Sequence, residues 1–341
     1  QTPPSDGTFN GHVPFFPWHP DPCPHLLAGS NLPAPGPRPI PNPPQEGEMP
    51  GSPLAPPAEP PLMTQTAPPL RDGSFLSPPE GELVSKHSYD FHTKKWTVTQ
   101  MRVRIDHYPF DEGSLRSVFY MKNLSKPLGP TQDWVAKISK TPNEPEESYF
   151  KEVEVHMLAD HYAKEFCRRA PPKLIQYIEA AVIECHDRVP STPGQRVLFS
   201  IEPYIHGQFV KFLNNFGWVH PGIIHHPYGN SPQAFAHWTW CASNGEVLVI
   251  DIQGTTDHNN VDRYTDPQAH TSASSKIDLM SKADLKENGI DKFFESHRCN
   301  EICSFLRLPP GKTWEGPYVP PPEVPLMIDF NRMALPPGAP R

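Results

Sequence analysis

Long apolar stretches are missing from this 341-residue chain; no run approaches the roughly 18 residues that a membrane-spanning helix needs. Cysteine is scarce: six in a chain of this length are not the disulfide framework of a small secreted domain. An excess of positive charge is lacking too. Lys and Arg total 30 against 38 Asp and Glu, a net charge of −8, which argues against a general nucleic-acid binder. The 21 glycines form no phosphate loop, because Gly311-Lys312-Thr313 has no upstream glycine at the required spacing. The opening residues carry no basic region followed by an apolar block, so no signal peptide is expected there. These absences point to a cytoplasmic protein with neither membrane nor nucleic acid as its partner.

Proline is abundant instead. Of 48 prolines, about half fall in the first ~80 residues, well above the usual frequency of about 5%. Segments such as Pro33-Ala34-Pro35-Gly36-Pro37 lack backbone donors and favour extended chain. Residues 1–85 are therefore expected to form a disordered proline-rich tail, and residues 311–341 a second one. Both are candidate docking segments for partners. That leaves residues 86–310 for folding, ample for a sizeable core.

Within that region the run Trp96–Ile105 alternates apolar and polar residues, as a half-buried strand does. A turn at Pro109–Arg116 precedes a strand at Ser117–Met121, and Trp134-Val135-Ala136-Lys137-Ile138 reads as a third. Lys137 is either a strand residue whose ammonium reaches water or a V-A-x-K lysine that pairs nucleotide phosphates. Tyr149–Arg168 has helical apolar spacing and stops at Pro171-Pro172. Its Glu152 and Glu154 are solvated, or one of them, Glu154 by preference, holds Lys137. Two more strands, Ala180–Glu184 and Arg196–Ile201, lead into Glu202-Pro203-Tyr204-Ile205-His206-Gly207, a place where backbone groups can hold an adenine ring. The aromatic-rich Phe235–Trp240 is expected in the core.

The most informative stretch begins as a buried strand, Val247-Leu248-Val249-Ile250, and ends at Asp251. A carboxylate there needs a cation, a metal or donors. Gln253 projects to the same side, Gly254 frees the backbone, and Asp266 follows after a polar loop. Two carboxylates and a carboxamide suit magnesium and a phosphate chain; a capped strand with a solvated turn is the alternative. Further on, His297-x-Cys299-x3-Cys303, with His270, makes a tetrahedral N2S2 set for structural zinc, the alternative being buried free thiols. A zinc hydrolase or nucleobase deaminase fails on spacing, since deaminases need H-x-E with P-C-x-x-C and an open metal position.

Taken together these segments resemble the alpha-kinases, a family of atypical protein kinases. The resemblance covers about residues 94–310 and runs in order through P-F-D-E-G-S-L-R (109–116), W-V-A-K (134–137), Y-F-K-E-V-E (149–154), E-P-Y-I-H-G (202–207), Q-A-F-A-H (233–237), D-I-Q-G (251–254), T-D-P-Q-A-H (265–270) and F-F-E-S-H-R-C-N-E-I-C (293–303). It implies an α+β, two-lobed kinase with an N-lobe at about 86–201, a C-lobe at about 202–310 and zinc stapling the C-lobe. It also implies a serine/threonine protein kinase using ATP and magnesium on a protein substrate. Carried over, Arg116 and Lys137 contact ATP phosphates, and Glu202 and Tyr204 offer backbone groups to adenine. Asp251 is the catalytic carboxylate, Gln253 and Asp266 hold magnesium, and His270, His297, Cys299 and Cys303 hold zinc. Two departures stand out. Asp257–Arg263 looks inserted between the two aspartates, and the family's glycine-rich loop is reduced here to Ala283–Gly289 with one plain glycine. The second departure makes an ATP-binding pseudokinase scaffold the alternative.

Overall fold

The strand pattern expected between residues 96 and 201 closes on itself. In the computed structural model, which describes residues 64–65, 78, 80–113, 115–222, 231–257, 260–277, 279 and 281–324, six strands form a closed barrel. The chain runs β1 (Thr64–Gln65), β2 (Glu82–Asp90), β3 (Lys95–Glu112), β4 (Arg116–Asn123), β5 (Asp133–Ser139), α1 (Glu146–Cys167), β6 (Ile175–Tyr177), β7 (Ala181–Glu184) and β8 (Leu198–Pro203). It continues through β9 (Gly207–Gln208), β10 (Val210–Lys211), α2 (Ser231–Ala242), β11 (Val247–Ile250), β12 (Gln253–Thr256), β13 (Asp262–Thr265), β14 (Gln268–Thr271), α3 (Lys286–Ser296) and α4 (Glu301–Phe305). Most of the expected N-terminal tail, and the chain beyond 324, lie outside the described residues.

The barrel order is β2-β3-β4-β5-β8-β7. Closure removes the sheet edges, and the inward side chains Val84, Val103, Ile105, Met121, Ala136, Ile183 and Ile201 fill the interior. The turn expected at Pro109–Arg116 is shorter than the sequence suggests. β3 continues to Glu112 through register shifts between Ile105 and Asp111, which let proline sit in the strand. β2 starts at Glu82, inside the span assigned to the tail, and Val84 is fully buried.

The second lobe is built on β11-β14, a four-stranded sheet β10-β12-β13-β6, and α2, α3 and α4. Its core includes Phe235, Trp238, Val247–Ile250, Tyr264, Ile290 and Phe293, so the aromatic run at Phe235–Trp240 lies inside. A lobe boundary at 201/202 is too simple. β6 pairs in parallel with β13, and Leu158, Ala159, Ala163 and Phe166 of α1 pack in the second core. The first turns of α1, through Tyr149 and Val153, pack instead with β7 and β8 residues. One helix thus joins the two cores. The chain after residue 310 lies along this lobe as far as it is described: Trp240 Nε1 donates to Lys312 O at 2.8 Å, and Val324 N to Arg168 O at 2.8 Å.

Candidate active site

Antiparallel register brings the two predicted acids together. β11 pairs with β14, ending at Ile250 opposite Gln268, while β12 pairs with β13, starting at Gln253 opposite Thr265. The connecting pairs Asp251-Ile252 and Asp266-Pro267 therefore face each other where the chain leaves one sheet for the next. Both acids hold positive φ, 58° at Asp251 and 48° at Asp266. Left-handed backbone costs a non-glycine residue about 1–2 kcal/mol, and such strain gathers at working sites. Gly254 is required sterically: its φ is 153°, and a Cβ would stand 1.9 Å from Arg263 O. The inserted loop does not disturb this arrangement. It extends the far end of the β12–β13 hairpin beyond Thr256 and Asp262, where Asp257 N donates to Val261 O at 2.9 Å.

These residues line a cleft of about 360 Å³, within the size range of small-ligand sites, between barrel and second lobe. Arg116, Lys137, Glu202, Tyr204, Asp251, Gln253 and Asp266 all reach it. Lys137 Nζ lies 2.7 Å from Glu202 Oε1 and 2.6 Å from Asp266 Oδ1. Burial works against its charge, but Asp266 and Glu202 more than offset that and lift its pKa above that of an ordinary lysine. Burial raises the pKa of Glu202, with Lys137 pulling the other way, and Thr265 Oγ1 donates to its Oε2 at 2.6 Å. Asp266 sits half-exposed at the mouth, where Lys137 outweighs its desolvation and keeps it ionised. Asp251 is the more desolvated acid. Burial raises its pKa, only partly countered by Lys211 Nζ at 2.8 Å. Gln253 Nε2 donates to Asp266 O at 3.4 Å.

One expectation is corrected. Lys137 is not held by a glutamate of α1. Glu154 faces Trp96 Nε1 at 3.3 Å and Lys151 Nζ at 3.0 Å, and Glu152 pairs with Arg116. The buried glutamate that meets Lys137 is Glu202, whose carboxylate, rather than its backbone alone, faces the cleft. Of the backbone groups of Tyr204, the N–H donates to Asp133 O at 2.8 Å. Arg116 keeps Nε and Nη1 buried with no partner while stacking its guanidinium 4.4 Å from the Tyr149 ring centre, leaving a cation with donors to spare at the cleft wall.

The predicted zinc set also changes by one ligand. His237, His297, Cys299 and Cys303 place one ligand atom each within 4.8 Å of one another. His270 is elsewhere. Its Nε2 donates to Asn215 O at 2.8 Å, its Nδ1 accepts from Leu285 N at 3.1 Å, and its ring lies against Gly289 of α3. With both ring nitrogens engaged, it has no lone pair left for a metal. His297 Nε2 and His237 Nδ1 are 3.1 Å apart, and each faces a thiol sulfur at 3.8 Å. A tetrahedral ion with the usual zinc bond lengths requires edges of about 3.3 and 3.6 Å, so the donor set fits such a cation. Burial keeps both imidazoles neutral, pushing His237 down to about 4 and His297 to about 3. His237 escaped sequence reasoning because it lies in a helix 60 residues before its partner. The available signal was a histidine amid apolar residues, which is costly to bury unpartnered.

The reduced glycine-rich segment is tied down by its own side chains. Asp284 accepts from Thr271 N at 3.1 Å, Thr271 Oγ1 at 2.6 Å and Lys286 N at 2.9 Å. Next to it Lys282 Nζ reaches Glu144 at 3.0 Å, just before α1.

With this geometry in view, the comparisons with known proteins converge. The model of the alpha-kinase family matches residues 111–303, and the chain belongs to that family. It is 37% identical to myosin heavy chain kinase B of Dictyostelium discoideum over 67% of this chain and 29% of that protein. To human eukaryotic elongation factor 2 kinase it is 33% identical over 67% of this chain and 30% of that protein. The match thus spans about a third of those relatives' length. Among solved structures, the apoenzyme alpha-kinase domain of myosin-II heavy chain kinase A superposes with a TM-score of 0.59 at 31% identity, covering 69% of this chain and 99% of that one. An AMP complex of the kinase A domain gives 0.58 at 32% identity, covering 67% and 99%. No helix among the described residues is long and apolar enough to cross a membrane.

Proposed function

We propose that this chain is an ATP-dependent serine/threonine protein kinase, transferring the γ-phosphate of magnesium-ATP to a protein hydroxyl. The observation that carries the reading is the meeting of Lys137, Asp251, Gln253 and Asp266 at one cleft. Lys137 and Arg116 offer cationic charge to the phosphates, and Gln253 and Asp266 supply oxygen ligands for magnesium. Magnesium, when bound, neutralises charge on the transferring group. Asp251 orients the substrate hydroxyl and takes its proton as the oxygen bonds to the γ-phosphorus and the bond to the ADP oxygen breaks. Its desolvated site and positive φ suit a positioned base rather than a solvated capping acid. Zinc at His237, His297, Cys299 and Cys303 would staple the second lobe, with no open position for catalysis. A cytoplasmic location and docking of partners by the proline-rich tails complete the proposal.

The test is transfer of labelled phosphate from magnesium-ATP to a generic basic protein. Asp251→Ala should retain nucleotide affinity within a few-fold and lose at least ~100-fold in turnover, because its carboxylate acts in the transition state. Equal activity in variant and wild type would remove Asp251 from the mechanism. Nucleotide binding without any transfer would favour the pseudokinase alternative, which the tied-down 283–289 segment keeps in view.

A further inference from the structure

One strand at the mouth of the cleft is completed by a segment from far upstream of the barrel. β1 lies antiparallel to β9, with Thr64 opposite Gln208 and Gln65 opposite Gly207. Among the described residues β9 has no other strand partner. Both its residues are exposed. Tyr204 and Ile205 line the cleft just before β9, Phe209 and Lys211 just after it, and Lys211 holds Asp251. Gly207 has a φ of 119°, and a Cβ there would stand 2.8 Å from Thr255 Oγ1. Glycine therefore lets this edge lie against β12, the strand that carries Gln253. A strand edge of this kind recognises an extended peptide through main-chain hydrogen bonds.

We infer that the β9 edge is the docking strand for an extended segment of the protein substrate, and that Thr64–Gln65 fills it in cis as a competitor. The inference rests on the protein-kinase reading above. Register sets its polarity. A peptide paired like β1 continues, on its N-terminal side, beside Phe209 toward Lys211 and Asp251. At about 3.4 Å per residue, Gln208 to Lys211 spans about 10 Å, so the acceptor hydroxyl belongs roughly three or more residues before the docked segment. Immediately before Thr64 this chain reads Glu59-Pro60-Pro61-Leu62-Met63, with no hydroxyl to offer. A two-residue ladder is weak, at about 1 kcal/mol per hydrogen bond, but tethering supplies an effective concentration on the order of mM. A free substrate making further contacts displaces it.

The full chain carrying Thr64→Pro and Gln65→Pro loses the tail's strand donor, whichever of the two residues faces β9, without touching the cleft. Only one of Gly207 and Gln208 turns its N–H toward β1 in an antiparallel pair, and that amide should exchange at least tenfold faster in this variant, with a synthetic peptide copying residues 58–70 restoring its protection. The labelled peptide should bind the variant several-fold more tightly than wild type. In the kinase assay the variant's KM for the basic protein should fall several-fold with KM for ATP unchanged, and the peptide should inhibit competitively against protein but not against ATP. Exchange and peptide binding do not require phosphoryl transfer, so they report on docking even in an inactive chain. Equal exchange in both chains, or no peptide binding, overturns the docking edge. Docking with an unchanged protein KM overturns its substrate role, and a chain that phosphorylates no protein loses that role together with the kinase reading.

Discussion

His237 and His270 are both buried histidines of the second lobe, and their partners separate their roles. His237 turns Nδ1 toward His297 and Cys299 and has one backbone hydrogen bond, at Pro309, whereas His270 spends both nitrogens on backbone groups. His237→Ala and Cys303→Ala should release metal, measured by elemental analysis, and lower the melting temperature sharply, because metal-binding energy at such a site is folding energy. His270→Ala should cost stability but retain the metal; metal loss there instead would restore it to the ligand set. His156 gives a pH prediction. It is buried at the cleft floor, Nε2 donates to Ile178 O at 2.7 Å, and Asp266, Lys137 and the Tyr177 ring are the groups around it. Desolvation pushes it down to about 4 from 6.5. The unfolded chain therefore takes up this proton first as the pH falls. Stability present above the unfolded value is lost progressively toward the folded one, about 2 kcal/mol of it between pH 7 and 5. Chemical denaturation across that window should show a shallower slope in His156→Gln, and an unchanged slope would assign the acid sensitivity to other groups.

At the scale of elements, β2 shows how a strand defines a boundary that proline density blurs. Its Leu83–Ser85 segment pairs with Gln100–Arg102 of β3, Val84 is fully buried, and Glu82 binds Arg188 with Nε at 3.0 Å. A chain beginning at residue 78 should melt within a few degrees of the full chain. One beginning at Lys86 leaves β3 partly unpaired in a closed barrel and loses the buried valine, for about 2–4 kcal/mol of destabilisation. Calorimetry on the two truncations decides it; matching melts would move the boundary back to residue 85. The helix α1 makes the complementary point. Its apolar positions are legible as a helix face, but the sequence does not show that its two halves face different cores.

For the whole molecule, the two lobes are joined across the cleft by Lys137 with Asp266, Glu202 with Thr265, and Lys282 with Glu144. The last is an exposed lysine whose pair is worth little alone. Lys137 is different because it is buried and serves two carboxylates at once. Lys137→Ala should weaken nucleotide binding and turnover together and destabilise the fold by about 3 kcal/mol, since Glu202 is left buried without a cation. Adding Glu202→Gln should recover part of the stability but none of the turnover, as read by urea unfolding beside the kinase assay. A Lys137→Ala chain with wild-type stability would show that Glu202 finds compensation elsewhere.

The sequence by itself determined the barrel strands other than β2, the long helix, the acids that follow β11 and β13, and the Cys299–Cys303 pair. Each is local: alternation, helical spacing, a carboxylate stopping an apolar run, two cysteines four residues apart. Tertiary structure decided which groups meet. His237 replaced His270 because rings 60 residues apart in sequence meet only once α2 packs beside the turn between α3 and α4. Glu202 replaced Glu154 as the partner of Lys137 because β5 and β8 are neighbours in the barrel, whereas Glu154 faces β3. Backbone periodicity is written along the chain. The identity of a buried charge's partner is settled by desolvation, which acts only after distant segments have excluded water together.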